Sequence, residues 1–600
     1  VLAGAQSFRE GAVAAGAATA GAATAGAATG GAATAGAATG GAATGGAATG
    51  GAAAAPPPRM GFNGGMTDSA PPAADRIPDL RSDLLAAGLS VDALMRLWGE
   101  EAAEALHRGQ RVPAERALAR REPSALATLA RLFVLGLPVA ADAAAAALPA
   151  LGVEGAVALG LVTLDDASGT ISAAIDLRPY AFVDAAGPAE WWIVSDLGEL
   201  VLGGPLPEDH VLGVGGASLT LSGLMLQDPV ESVLDLGTGC GIQAMHAARH
   251  ARRVVATDIS PRALRLAALN LALNEIDGVE LRLGSMFEPV AGERFDHIVS
   301  NPPFVITPRV EGVPAYEYRD GGMVGDGLVA SFVNGCGTHL APGGVAQLLG
   351  NWEYRGAGDG LARVREWVDA SIVPLDAWVI ERDVEDAVRY AETWIRDGGT
   401  RPGTPAFDRL LGAWLEDFEG RDVRSVGFGY LLLRRVDAVP GRDADSGPDR
   451  APDGGPAGWM DAVPTLRRFE RLHGPVGANE AGLGVHLGEA LAAHDLQAAL
   501  DDDALARLRP VLAGDVTEER HLWPGADSPT AILLRQGGAF GRVVPAGTGL
   551  AALVGACDGE LSVGAIVAAL AQLLEVEEDA LRGELLPAVR GLLVDGFLHA

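Results

Sequence analysis

A short apolar strand that runs straight into a glycine-rich turn and then a helix constrains this chain more than any other feature. Glu231-Ser-Val-Leu-Asp235-Leu reads as the strand, Gly237-Thr238-Gly239-Cys240-Gly241 as the turn, and Ile242 to Ala251 as the helix. Such a turn belongs at the carboxyl end of a parallel strand, where glycines let the backbone approach a ligand and the helix N-terminus offers free N–H groups. A second strand, Arg253-Val-Val-Ala-Thr, ends in Asp258, placed to accept hydrogen bonds from the ribose hydroxyls of a nucleoside cofactor. Ser260 and Pro261 then cap and start a helix through Asn274, the proline sitting where its missing N–H costs nothing. From about Gly216 to Arg435 short apolar strands alternate with amphipathic helices, the pattern of a parallel sheet covered on both faces.

A later strand, Phe295-Asp-His-Ile-Val-Ser, ends in Asn301-Pro302-Pro303-Phe304. Two prolines at the end of a buried strand remove two N–H donors and fix the backbone, leaving a rigid loop of bare carbonyls. A planar nitrogen, in an amide or on a base, is a poor nucleophile because its lone pair is delocalised. The Asn301 side-chain oxygen and the adjacent Pro302 carbonyl can accept its two N–H hydrogens, aiming the lone pair outward, and Phe304 can stack on the planar group. No strong base is needed.

Asp235-Leu-Gly-Thr-Gly-Cys-Gly241 resembles motif I of the class I S-adenosylmethionine methyltransferases, and Asn301-Pro302-Pro303-Phe304 resembles motif IV of the amino-methyltransferases. The resemblance implies a doubly wound, Rossmann-like α/β domain with S-adenosyl-L-methionine as cofactor. It assigns Asp235, Gly237, Gly239, Gly241, Asp258 and Ser285 to cofactor binding, and Asn301, Pro302, Pro303 and Phe304 to the acceptor nitrogen. Asn301 to Pro308, Arg319-Asp320-Gly-Gly and Leu340-Ala-Pro-Gly-Gly344 look like stretches of the release-factor glutamine methyltransferases, while the ribosomal-RNA guanine methyltransferases share motif I and Asn-Pro-Pro-Phe. Phe304 departs from the Tyr of the first group. Gly284-Ser285-Met286-Phe287 departs from many of both, with Ser285 where an Asp commonly contacts adenine. The leading expectation is methylation of a base in ribosomal or transfer RNA. A protein glutamine is the alternative acceptor, and a cofactor-binding assembly factor without turnover is a third reading.

Composition prunes other chemistries. The 45 basic residues are all arginine, so a pyridoxal Schiff base, a P-loop lysine and a kinase lysine are excluded. The formal net charge of -32 opposes a broad phosphate-binding surface and counts against the nucleic-acid reading, although it leaves room for a local basic patch. Cys240, Cys336 and Cys557 lie too far apart for a disulfide framework or a zinc pair and suit a reducing cytoplasm. The most apolar stretch, Leu132 to Leu164, is cut by Asp142 and Glu154 into pieces shorter than the roughly 20 residues a bilayer span needs, so no membrane partner is expected. No metal is implied either: His246 and His250 stand four apart but lack a third ligand and read as a solvent-facing helix. Asp501 to Asp503 read as a helix N-terminal charge cluster, Glu575 to Asp579 as a solvated acidic run, and Arg309, Tyr316, Tyr318 and Arg319 as residues at the mouth of the pocket or on a plain surface loop.

Six hundred residues suggest several domains. Residues 1–65 hold seven unbroken Gly-Ala-Ala-Thr repeats between Gly16 and Gly50, which cannot build a core and read as disordered; Met66 or Met60 is expected as the biological start. Residues 66–215 read as a helical, winged-helix domain, with Ser90 capping a helix from Val91 to His107, a second helix from Pro123 to Leu135, and a hairpin turning at Asp165 to Gly169. Residues 216–436 are the methyltransferase candidate and 437–458, dense in Pro, Gly and Asp, a linker. Residues 459–600 read as a winged-helix-like domain whose last stretch is similar to small PqqD-like peptide-binding domains.

Overall fold

The computed structural model describes residues 73–203, 206–436, 463–480 and 482–600, without the side chains of Glu199 and Leu200. The glycine-alanine repeats, both candidate start methionines and the 437–458 linker lie outside the described residues. Strands β1 (Val230–Leu236), β2 (Ala251–Asp258), β3 (Val279–Leu283), β4 (Phe295–Ser300), β5 (Leu340–Arg355), β6 (Leu375–Asp386), β7 (Val423–Arg435) and β8 (Arg467–Arg471) form one sheet in the order β8-β6-β7-β5-β4-β1-β2-β3. All pairings are parallel except those of β7 with β5 and β6. Leu234 of β1 stands between Val255 of β2 and Ile298 of β4, and all three are buried, as expected of strands covered on both faces. The chain winds from β1 out to β3, returns to β4, and winds out the other way. The reversal between β1 and β4 opens a crevice at their carboxyl ends, where open α/β sheets bind ligands.

Helices α1 (Gly216–Leu224), α2 (Ile242–Ala247), α3 (Pro261–Leu273), α4 (Gly327–His339), α5 (Gly360–Asp369), α6 (Ala387–Asp397), α7 (Pro405–Gly420) and α8 (Gly484–Ala499) accompany this sheet. One face carries Phe295 and Trp352 against Phe332 of α4 and Trp367 of α5; the other carries Trp378, Ile380 and Leu432 against Leu221 of α1 and Leu487 of α8. Ser260 accepts a hydrogen bond from Ala263 N at the start of α3, as its position before Pro261 predicts.

The N-terminal part has the winged-helix order. Helix 125–134 leads to strand Val139–Ala140, helices Ala141–Ala147 and Gly152–Ala158, and the hairpin Val162–Asp165/Thr170–Ala173, the three strands forming one sheet. Ser90 caps its helix through Ala93 N, but the helix expected over 91–107 is two, Val91–Trp98 and Glu100–His107, because Gly99 adopts φ +85. A second hairpin, Asp176–Asp184/Gly187–Ser195, docks on the central sheet's helices. The Asn270 amide bridges Val194 N and O at 2.7 and 2.9 Å, and the Asn274 amide does the same for Trp192 at 2.9 and 2.8 Å. Two side chains thus imitate a neighbouring strand.

That hairpin also corrects the reading of His246. Rather than facing solvent, His246 is buried among Tyr180, Phe182 and Trp191, with the Tyr180 hydroxyl 3.1 Å from Nε2; burial lowers its pKa to about 3, so it is neutral.

In the C-terminal part, helices Thr548–Gly555, Val563–Leu574 and Glu578–Val594 close over Leu553, Val567, Leu585 and Phe597. Its strands come mostly before these helices: a meander Val516–His521, Ala531–Gln536, Val543–Ala546, and a pair joining Val511–Leu512 to Leu598–His599. Asp501 is the N-cap of the short helix Asp502–Arg507, accepting from Ala504 N at 2.7 Å. The expected start of this part at 459 puts β8 on its side of the border, whereas β8 pairs in parallel with β6 from Ala377↔Arg467 to Glu381↔Arg471 and so belongs to the central sheet.

Candidate active site

The turn after β1 is held open by its own backbone. Gly237, Gly239 and Gly241 have φ of +78, +56 and +90, where any other residue is strained. Gly237 N and Thr238 N both donate to Thr257 O at 2.9 Å, pinning the turn to β2. A Cβ at Gly237 or Gly239 would meet nothing within 4 Å, so the turn borders open space, whereas a Cβ at Gly241 would lie 3.1 Å from the Ala267 Cβ of α3. These glycines therefore have two tasks: an open cradle at the first two positions and close helix packing at the third.

Both acids stand at this cradle. Asp258 Oδ2 accepts from Gly239 N at 2.9 Å and Oδ1 from Ser260 N at 2.8 Å, which fixes the carboxylate at the end of β2. Asp235 is fully buried; Thr238 Oγ1 donates to its Oδ2 at 2.6 Å, and its Oδ1 has no partner among the described residues. Burial raises the Asp258 carboxyl above its ordinary value and lifts that of Asp235 to about 7. A buried acceptor lacking a donor, next to an open glycine cradle, fits a cofactor that brings a cationic or N–H group. Gly284 N donates to Asp258 O at 2.9 Å, so the loop carrying Ser285 is tied beside the same acid, with Met286 at φ +48.

Across the crevice, Ser300 Oγ donates to Leu236 O at 2.7 Å and locks the end of β4 to the end of β1. Asn301 follows, half-buried, and its side chain makes no hydrogen bond among the described residues. The following loop is rigid for a reason beyond its prolines: Phe304 bridges Asp320 in antiparallel fashion, and Val305 N donates to Arg319 O at 2.7 Å. Gly321 lies so near that a Cβ there would come within 3.0 Å of Pro303 O. The Asp320-Gly-Gly stretch is thus a backing strip for the Asn-Pro-Pro-Phe loop, and Arg309 clamps Asp320 with both guanidinium nitrogens.

Tyr316, Tyr318 and Arg319 anchor this loop rather than line a pocket mouth. Arg319 is buried, donating to Trp394 O at 2.8 Å and Asp397 at 2.7 Å, and the Tyr318 hydroxyl lies 3.2 Å from Asp397. Three residues outside the expected set also shape the site. Thr238 holds Asp235; Asn270 joins the upstream hairpin to Cys240 O in the glycine turn at 2.8 Å; and the Tyr390 hydroxyl receives Ile306 N and Asn351 Nδ2, each at 3.0 Å. Asn270 was visible in the sequence as a polar residue within the apolar run Leu266 to Leu273, whereas Tyr390 lies in a charged, amphipathic helix that gives no such signal. Among the described residues no cluster of three or more His, Cys, Asp or Glu side chains could hold a metal, and no single helix is long and apolar enough to cross a membrane.

Residues 215–354 match the family described as "Methyltransferase small domain". The chain carries a class I methyltransferase domain. A domain of this family implies S-adenosylmethionine as the methyl donor. Residues 86–174, ahead of this domain, match a "Domain of unknown function (DUF7059)". The ribosomal protein uL3 glutamine methyltransferase of Bradyrhizobium diazoefficiens is 34% identical over 199 residues, 31% of this chain and 57% of that protein. Release factor glutamine methyltransferases of Xylella fastidiosa and Cereibacter sphaeroides are 39% and 40% identical over 133 and 129 residues, 21% and 20% of this chain and 48% and 46% of those proteins. The chain therefore spans about half the length of the curated relatives it matches. Among solved structures, the ribosomal protein L11 methylase of Lactobacillus delbrueckii subsp. bulgaricus is 18% identical, with a TM-score of 0.21, over 37% of this chain and 77% of that one. An rRNA methylase of Streptococcus thermophilus is 13% identical, with a TM-score of 0.21, over 37% and 94%.

Proposed function

We propose that this chain is an S-adenosylmethionine-dependent methyltransferase whose acceptor is the side-chain amide of a glutamine in a protein. The observation that carries this reading is the fusion of two loops, Asn301 to Phe304 with Asp320-Gly-Gly behind it, into one rigid acceptor platform facing a glycine cradle. The three relatives described above are named as glutamine methyltransferases, and this supports an amide acceptor over the RNA base that the Asn-Pro-Pro-Phe motif alone put first. The charge of -32 points the same way, because phosphate binding would have to be achieved against it. The two intact motifs argue for turnover rather than cofactor storage.

The bound donor supplies an electrophilic methyl group. The residues of the chain do the rest. Asp235, Gly237, Gly239 and Gly241 receive the donor's amino-acid end, Asp258 the ribose, and the loop of Ser285 the side next to it. Asn301 Oδ1 and the Pro302 carbonyl accept the two amide hydrogens, which holds the nitrogen lone pair on the line of displacement. Pro303 keeps that carbonyl in place, and Phe304 offers its ring to the planar amide. Acceleration comes from positioning and fixed acceptors rather than from a side-chain base. We place the catalytic unit at residues 216–436 together with β8, flanked by a winged-helix unit before it and a helical unit after it.

Labelled S-adenosylmethionine incubated with the protein and cell extract, followed by digestion, tests this. Label released by protease and resistant to nuclease is expected, and it is lost in Asn301→Ala while donor affinity stays. Nuclease-sensitive label would refute the reading.

A further inference from the structure

The matched family ends at residue 354, yet the Asn-Pro-Pro-Phe loop is held from behind by α6, which starts at Ala387. The Tyr390 hydroxyl of α6 accepts from Ile306 N, two residues past Phe304, and from Asn351 Nδ2 of β5, each at 3.0 Å. At the far end of the helix, Trp394 O and Asp397 accept from the Arg319 guanidinium at 2.8 and 2.7 Å, and Gly398 O accepts from the Tyr316 hydroxyl at 3.3 Å. Val305 N donates to Arg319 O at 2.7 Å between these anchors, so the loop and its backing strip rest on one helix. Tyr390 and Asn351 are fully buried, and Asn351 Oδ1 has no partner, so among the described residues that side chain's one bond is to Tyr390. A buried amide left half-satisfied costs stability that an apolar side chain of similar size would not. Packing therefore does not account for the pair, whereas a bond to the loop does. Register puts the pair at the crevice end of the sheet, since Asn351 lies three residues beyond Leu348, the partner of Ser300.

We propose that Tyr390 is a positioning residue for methyl transfer: with its hydroxyl fixed by Asn351, it takes up Ile306 N and so sets where Asn301 Oδ1 and the Pro302 carbonyl meet the acceptor nitrogen. This rests on the reading above of Asn301 to Phe304 as the acceptor platform. Prolines at 302 and 303 and the bridge from Phe304 to Asp320 stiffen the stretch between Asn301 and Ile306, so a displacement at Ile306 is passed on rather than absorbed. A shift of about 1 Å at a positioned group can cost up to about a hundredfold in rate. Tyr390 is buried behind the loop, so its effect falls on the rate of transfer and not on the binding of donor or acceptor.

The test uses the full chain, labelled S-adenosylmethionine and a dilution series of cell extract, with donor affinity and stoichiometry measured by calorimetry at a temperature where every variant is folded. Tyr390→Phe keeps the ring stacked on Phe428 and removes only the hydroxyl. Its maximal rate of transfer is expected to fall about tenfold, the size of one hydrogen bond, while donor binding and the extract needed for half-maximal transfer stay as in wild type. Asn351→Leu is expected to lower the rate less and to add nothing to Tyr390→Phe, because both act through one hydroxyl. Leu410→Ala, which loosens the same apolar cluster from α7 without a bond to the loop, is expected to melt earlier yet transfer at the wild-type rate. A wild-type maximal rate in Tyr390→Phe would overturn the proposal. So would an equal fall in Leu410→Ala, or a loss of donor binding in step with the rate, since the effect would then be one of folding. Wild-type transfer by Asn301→Ala would overturn the platform reading and this role with it, whereas nuclease-released label alongside the tenfold fall in Tyr390→Phe would overturn the glutamine reading and uphold the positioning role.

Discussion

At the residue scale, the proposed site sets the fully buried Asp235 and the Asp258 carboxylate, fixed by two backbone N–H groups, against the half-buried Asn301 and Phe304. Asn301→Ala is expected to lower methyl transfer by about a hundredfold or more, the usual cost of losing one fixed transition-state hydrogen-bond partner, without weakening donor binding. Asp258→Ala is expected to do the reverse, weakening the donor first. Calorimetry and single-turnover transfer separate the two. Asp235 makes a further prediction through its protonation. Its carboxyl is lifted to about 7 by burial, so it is harder to ionise folded than unfolded. Its contribution to stability is full below the unfolded value near 3.8 and is lost as pH rises toward 7. Asp235→Asn cannot ionise, so its melting temperature is expected to fall less than that of wild type between pH 4 and 7. Parallel slopes for the two proteins would show that Asp235 is already ionised in the fold.

At the scale of elements, the glycine turn shows how one motif serves two demands. Gly241→Ala places a Cβ 3.1 Å from the Ala267 Cβ at a φ of +90 and is expected to cost about 1–3 kcal/mol of stability, read by denaturant titration. Gly237→Ala meets only open space in the fold, so its expected signature is a smaller loss of stability with a larger loss of donor affinity. The elements around this turn were legible in the sequence because strand, glycines, acid and cap follow one another within a single β-α-β unit, and the end of β4 at Ser300 was legible because Asn301-Pro302-Pro303 stops the strand. β8 was not. Its Arg-Arg-Phe-Glu-Arg has one apolar side chain, because its charged residues pair with carboxylates and guanidiniums from elsewhere: Arg471 with Glu381, and Glu470 with Arg542. The burial of His246 was equally hidden, since the three rings that enclose it come from a hairpin on the upstream part of the chain.

On the scale of the whole molecule, both flanks are wired into the methyltransferase domain. The upstream hairpin reaches the cofactor turn through Asn270, and the downstream part is latched by Arg542 on Glu470 and Arg468 on Asp595 at 2.7 Å. Arg542 is nearly buried, so Arg542→Ala leaves the Glu470 carboxylate short of its partner and is expected to cost about 3 kcal/mol in denaturant titration. A double-mutant cycle with Glu470→Gln should return a coupling of about 1 kcal/mol or more if the pair acts as one latch. The net charge of -32, which opposes phosphate surfaces, suits a protein acceptor approached through side chains rather than through a nucleic-acid backbone. Mass spectrometry of proteolysed extract proteins after incubation with isotopically labelled S-adenosylmethionine tests the central claim most directly. The labelled methyl is expected on a glutamine side-chain amide and absent when Asn301→Ala replaces the wild type; a methyl on a nucleobase, or on glutamine regardless of Asn301, would refute the proposed function.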